Sequence, residues 1–241
     1  MNEHKKNVNR SLLIAVGTAV VILLLLILGL SRAWYVNRAN IATLVEVAPP
    51  SPISIRGTHG YTIDNLDLSY NENERDANGK VTIRRVISIA TDEEKHRLEI
   101  AHTTNLKNFE FKVYAATEDT SGSVSETARG ETYTYKYNKD APLAGSYLNA
   151  ANNGALDSNG YRKATSDYGG NFNTEDKTQA HAVPVYWLAS GDLGGTEIQE
   201  GNPTLYAQVG TKYLSYYVVE MSWQEETKET DMFYVLAENA T

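Results

Sequence analysis

Residues 213–223, YLSYYVVEMSW, decide the fold. In an extended chain successive side chains point to opposite sides, so Tyr217, Val219, Met221 and Trp223 share one face. Eleven residues of this kind predict a long strand with Val219 and Trp223 buried. The polar run QEETKET (224–230) returns the chain to a last strand, DMFYVLA (231–237).

The same period of two recurs upstream. YTIDNLDLSY (61–70) alternates with Ile63, Leu66 and Leu68 inward, and ENERDANGK (72–80) reads as a turn whose Asn78-Gly79 pair is the strongest hairpin cue in the chain. VTIRRVISIA (81–90) places Val81 and Ile83 on one face, and its apolar phase shifts after Arg84-Arg85, which predicts a bulge. HRLEIA (96–101), FEFKVYAA (109–116), TYTYKY (132–137), VPVYWLA (183–189) and TLYAQVG (204–210) complete the set, with HTTNLKN (102–108) as a loop. About nine short strands separated by turn signals spell an all-β domain, an antiparallel β-sandwich of jelly-roll-like form.

Two segments stand outside this pattern. Residues 138–180 are rich in Asn, Gly, Asp and Ser and are too long for an ordinary connection, so they read as a long loop insertion and the most mobile part of the domain. PLAGSYLNAANNGALDS (142–158) has room for a helical turn, but no segment of the domain shows a sustained helical period. VAPPSPISIR (47–56), with Pro49, Pro50 and Pro52, reads as the end of an extended spacer over 32–56. ANIATLVEV (39–47) just before the prolines alternates loosely, as a strand for the domain or for a neighbour would.

The N-terminal stretch NRSLLIAVGTAVVILLLLILGLSRAWYVNRAN (9–40) sets the compartment. Residues 11–31 are 21 positions without charge or proline. As a helix they reach about 30 Å, the thickness of a hydrocarbon core. Lys5, Lys6 and Arg10 put residues 1–10 in the cytoplasm, and the β domain (57–241) outside, as a single-pass membrane protein. Two readings stand: a signal-anchor that stays, with Trp34 and Tyr35 at the interface, or a leader cleaved after Ser31-Arg32-Ala33, where Ser31 and Ala33 are the small residues of a signal-peptidase site. In the second case the protein is secreted.

Composition narrows the chemistry. The chain has no cysteine, which excludes thiolate catalysis, cysteine metal sites and disulfides. Residues 31–241 carry 19 Lys+Arg against 29 Asp+Glu, an acidic exterior that argues against nucleic acid or anionic lipid as partner. The partners expected are the lipid bilayer through residues 11–31 and either a second copy of the chain or another envelope protein. None of the five histidines shows metal-ligand spacing, and surface or loop positions are expected for them, with His102 bonding to backbone at its loop. ASGDLGG (189–195) lacks the Lys-Ser/Thr and helix of a phosphate loop, and no Gly-x-Ser-x-Gly occurs. No catalytic residue and no cofactor is expected.

Calcium candidates are confined to two acidic turns, Asp157 with Asn159 and Asp76 with Asn78. Neither completes an EF-hand loop: Gly160 comes too early in the first, and Arg85 stands where the second needs glutamate. Tyrosine is the compositional bias, with 16 in the chain. The ladder Tyr133, Tyr135, Tyr137 is either an aromatic contact face for a glycan or protein, or cross-strand packing.

The leader ending in GLSRAWY, with Trp34-Tyr35, followed by a cysteine-free domain of alternating strands, resembles camelysin/TasA-type surface proteins of Gram-positive bacteria. The resemblance implies export by a dedicated signal peptidase, a jelly-roll sandwich, assembly into biofilm-matrix fibres and no catalytic residues. The diproline spacer and the Asn/Gly-rich insertion depart from that family's layout. The function expected is that of a non-enzymatic structural or adhesive protein of the cell surface. The alternative is a monomeric, membrane-tethered accessory module that binds a ligand or protein.

Overall fold

The computed structural model describes residues 43–44, 52–165, 183–198, 202–225 and 231–240. The span expected over 11–31 and the Ser31/Ala33 site lie outside these residues. Among the described residues no helix is long and apolar enough to cross a membrane.

In chain order the strands are β1 (Thr43–Leu44), β2 (Ile53–Arg56), β3 (Lys80–Thr91), β4 (Lys95–His102), β5 (Glu110–Glu118), β6 (Val124–Ala128), β7 (Glu131–Tyr137), β8 (Gly145–Tyr147), β9 (Val185–Ala189), β10 (Leu193–Gly194), β11 (Thr196–Glu197), β12 (Tyr213–Gln224) and β13 (Phe233–Asn239), with, among the described residues, one α-helix, α1 (Pro203–Val209). They form two sheets. One runs β1-β13-β4-β9-β8 with β10 beside β4, and the other runs β2-β3-β12-β5-β7-β6 with β11 beside β12. Every pairing is antiparallel except β1 with β13. The domain is thus all-β and sandwich-like.

The main core lies between the sheets. Val81, Ile83, Ile87 and Ile89 of β3 join Tyr217, Val219, Met221 and Trp223 of β12, and meet Leu98, Ile100, Phe233 and Val235 of the other sheet. The face assigned to 213–223 is therefore the buried one, and Val219 and Trp223 are both in the core. β12 is buried on its other face too: Val218 packs with Val86, Tyr114, Val124 and Tyr135 in a second cluster. This explains the phase change in β3. No bulge is present, since β3 and β12 pair in one register from Lys80↔Gln224 to Thr91↔Tyr213. Val86 belongs to the second cluster and Ile87 to the first, so a strand buried on both faces loses its alternation.

Several other expectations are corrected. Residues 61–70 turn Leu66 and Leu68 inward but form no strand; the segment is irregular and covers the core edge near β3. The Asn78-Gly79 turn joins no long hairpin, for before it only Arg75 bridges to Val81. A tight two-residue hairpin occurs instead at Arg129-Gly130 between β6 and β7, both with positive φ (52° and 85°), the twist such loops require. Residues 204–210 are helix rather than strand. Asn202 caps α1 by accepting from the Leu205 N–H at 3.0 Å, Pro203 opens it, and Gly210 closes it in the left-handed conformation. Leu205 and Val209, one turn apart, are its buried side.

The spacer expected over 32–56 is shorter than its prolines imply, because Ile53 and Ile55 are buried in β2. The insertion expected over 138–180 is built into the fold as far as residue 165. β8 extends a sheet beside β9, Leu143 packs on the core, and the Arg162 guanidinium is buried, donating to the carbonyls of Gly154 (2.6 Å) and Phe109 (3.1 Å). Its remaining residues, 166–180, lie outside the description.

Candidate interaction groove

β3 has an incomplete partner on one side. Along β12 it pairs over all twelve residues, but on the opposite edge β2 covers only Ser88–Thr91 and Arg75 only Val81. Gly57 ends β2 and turns away, its carbonyl held by the Ser88 hydroxyl at 2.8 Å. β6, the last strand of the same sheet, pairs on one side only, with β7. β5 and β7 share just three residue pairs, and the β6–β7 hairpin curls over the sheet's outer face until β6 lies near the bare part of β3.

Between β3, β6 and the irregular 63–76 segment lies an open groove of about 1070 Å³. Thr82, Arg84, Val86 and residues 123–128 line it, with Leu66, Asp67 and Glu74 opposite. Two side chains meet the open backbone. The Glu126 carboxylate accepts the Val86 N–H at 2.6 Å, and Arg85 Nη1 donates to the Arg84 carbonyl at 2.8 Å. Arg85 is anchored further by the Asp67 carbonyl (2.6 Å), the Ser69 carbonyl and the Glu74 carboxylate (3.3 Å). The pair stands where the C=O and N–H of a neighbouring strand would be.

Burial pushes the Glu126 carboxyl up to about 7, against the opposing pull of the Val86 N–H and the Arg85 charge. The unfolded carboxyl titrates near its ordinary 4.5, so the folded state holds the extra proton between those values. Stability from this group is therefore fullest at low pH and is lost as pH rises through 7. Glu126→Gln keeps an oxygen for Val86 and removes the charge. Its expected gain is about 2 kcal/mol near pH 8.5, discounted from the full shift for the side chain's partial exposure, and the gain vanishes near pH 4.5. Urea titrations of both proteins at the two pH values check this.

The tyrosine ladder lies behind the groove. Tyr135 is fully buried; its phenol meets Thr58 Oγ1 at 2.5 Å and receives the His59 N–H at 2.7 Å, and burial raises its pKa. Tyr137 tilts on Tyr114 at 4.9 Å, and Tyr133 stacks on the His59 ring at 4.2 Å. Tyr133 and Tyr137 are half-buried against the same cluster. As an aromatic contact face the ladder is corrected: its central ring is inside, because the curled sheet gives its outer face a core of its own. His59, overlooked in the ladder's reading, has φ +52° and bonds Glu118 Oε2 at 2.8 Å through Nδ1.

The calcium candidates sit in separate turns and serve them. Asp157 accepts from the Asn159 and Tyr161 N–H groups at 2.9 and 3.0 Å, and Asp76 from the Asn78 and Lys80 N–H groups at 2.8 and 2.9 Å. These are Asx turns, with the carboxylates turned onto their own backbone. Among the described residues no three acidic or histidine side chains are grouped to hold a metal. His96 and His102, expected near the surface, are fully buried instead; His102 Nδ1 donates to the Thr103 carbonyl at 2.6 Å, the backbone bond foreseen for it.

Compared with known proteins, the chain matches no family model and no curated protein.

Proposed function

We propose that this chain is a non-enzymatic structural or adhesive protein of the cell surface, held by a membrane span at residues 11–31 with a jelly-roll-like β-sandwich outside. The observation that carries the reading is the groove, where two strand edges of one sheet face the same opening and present backbone rather than a catalytic set. Strand addition at such an edge supplies affinity through main-chain bonds and needs no reaction chemistry. The length of the apolar leader and the acidic domain support the topology. The layout resemblance to camelysin/TasA-type proteins supports self-association.

The N-terminal segment supports assembly in a second way. β1 and β2 both derive from residues 40–56, and each is the terminal strand of its sheet. Strands so placed can leave one copy and add to another without disturbing the central ladders. The second reading, a monomeric tethered module, uses the same groove for a ligand or another envelope protein and keeps β1 and β2 in their own sheets.

Protease added to intact cells should digest the domain and spare an N-terminal tag; a domain protected until the membrane is broken would sink the surface reading. Electron microscopy at rising concentration separates the two, since filaments appear only for the assembling protein. N-terminal sequencing of the native protein tells anchor from cleavage at Ser31/Ala33.

A further inference from the structure

We propose that the groove between β3 and β6 receives an extended, lysine- or arginine-bearing segment of a partner protein, added as a strand to the open edge of β3. The proposal rests on the reading of the domain as an outward-facing binding protein and names the chemistry of what it holds.

The edge supplies the first argument. Among the described residues, Thr82 to Ile87 run between the Arg75 bridge and β2 without a strand partner on that side, a stretch of about 20 Å in extended chain. Backbone groups of alternate residues point the same way along an edge, so the N–H of Val86 and the carbonyl of Arg84, both aimed at the groove, place those of Thr82 there as well. An incoming strand would give Val86 a carbonyl in place of Glu126 and Arg84 an N–H in place of Arg85. Both caps can yield. Glu126 gives up one bond, and Arg85 keeps its contacts to Asp67, Ser69 and Glu74.

Charge supplies the second. The groove's arginines are spent: Arg75 pairs with Glu225 at 2.7 Å, Arg84 with Glu220 at 2.6 Å and Arg85 with Glu74 at 3.3 Å. Among the described residues no ion pair reaches Asp67, Asp76 or Glu126. Lys80 also lines the groove without an ion pair among the described residues, so one cation stands against Asp67, Asp76 and Glu126. The balance is negative where Glu126 is ionised, above about pH 7, and there Glu126, once released from Val86, favours a cation at short range. A segment with basic side chains at alternate positions meets it, while its other face lies toward Leu66 and Ile63.

The test uses the full chain in detergent and an acetylated, amidated hexapeptide of alternating lysine and valine, followed by fluorescence anisotropy and by hydrogen exchange across β3. Expected are saturable binding, slower exchange at Arg84–Val86, and affinity lower by roughly tenfold or more for the glutamate–valine hexapeptide and for the Glu126→Gln protein. Absence of saturation, equal affinity for the two peptides, or no change in Glu126→Gln would overturn the proposal and leave the caps as a guard on the edge. Oligomers of the chain that Glu126→Gln dissolves would assign the groove to a second copy and overturn it too. A failed titration leaves the protease result on intact cells untouched, so the two readings fail separately.

Discussion

Ile100→Asp should leave the β domain without a cooperative unfolding transition. Ile100 is fully buried at the centre of β4, paired with Val235 on one side and Trp187 on the other. Neither neighbour carries a cation, and the core around Ile100 is built of apolar and aromatic side chains. An uncompensated buried charge costs about 3–5 kcal/mol, and the lost isoleucine burial adds about 2 more. A domain holding 5–15 kcal/mol in total has little left after that. Circular dichroism through a urea titration reads it, with Ile100→Val as the control, expected to lose about 1 kcal/mol and keep its transition. Val219→Asp should be milder although Val219 is equally buried, because Arg85 stands directly opposite in the ladder and can reach the new carboxylate. Equal losses at the two sites would contradict the pairing account.

Acid should weaken the fold well before the exposed aspartates titrate. His96 and His102 are buried as neutral imidazoles. His96 meets the Tyr217 phenol at 2.7 Å through Nε2, and burial lowers its pKa to about 4. His102 donates from Nδ1 to the Thr103 carbonyl and accepts from the Tyr147 phenol at 2.9 Å; burial takes it down to about 3, with the Arg162 charge adding to the effect. In the unfolded chain both take up a proton near pH 6.5, so below that value the unfolded state binds more protons. Their contribution is complete above pH 6.5 and is lost as pH falls toward the folded values, at about 1.4 kcal/mol per pH unit for each.

Glu126 acts with the opposite sign, since its folded pKa is raised and acidification from 7 to 4.5 favours the native state. Glu99, raised by burial, adds to it. Between pH 6.5 and 4.5 the net loss should be about 1 kcal/mol per pH unit in the native protein and about twice that in Glu126→Gln. Urea midpoints at pH 7, 6 and 5 measure both slopes. A stability unchanged or rising toward pH 5 would mean that the two histidines are not held neutral.

Much of the sandwich was legible in the chain because alternation reports which side of a strand is wet. It was plain where one face stays in contact with water, as along YLSYYVVEMSW beyond Val218. It failed where both faces are covered, so the second core beneath the β6–β7 hairpin looked like a bulge in β3. It misled at 61–70, where Leu66 and Leu68 point inward from an irregular chain without a ladder. The helix at Pro203–Val209 carried Asn, Pro and Gly at its ends, cues that outweigh the β propensity of a seven-residue stretch. The groove left little trace. Glu126 and Arg85 look like ordinary exposed charges in SVSETA and TIRRV, since nothing local says that one will cap the backbone beside the other.

By itself the sequence determined the class of the domain, all-β with its longest strand in the core, for the two-residue period is a local property that each segment carries alone. Only the tertiary structure decided which edges remain open, that His96 and His102 are dry, and that Glu126 reaches Val86. Those outcomes depend on how far one sheet curls and which strands lie over which. Glu126 and Val86 are 40 residues apart and share no local pattern. Their contact, and the groove beside it, exist only because the β6–β7 hairpin folds back over the face of its own sheet.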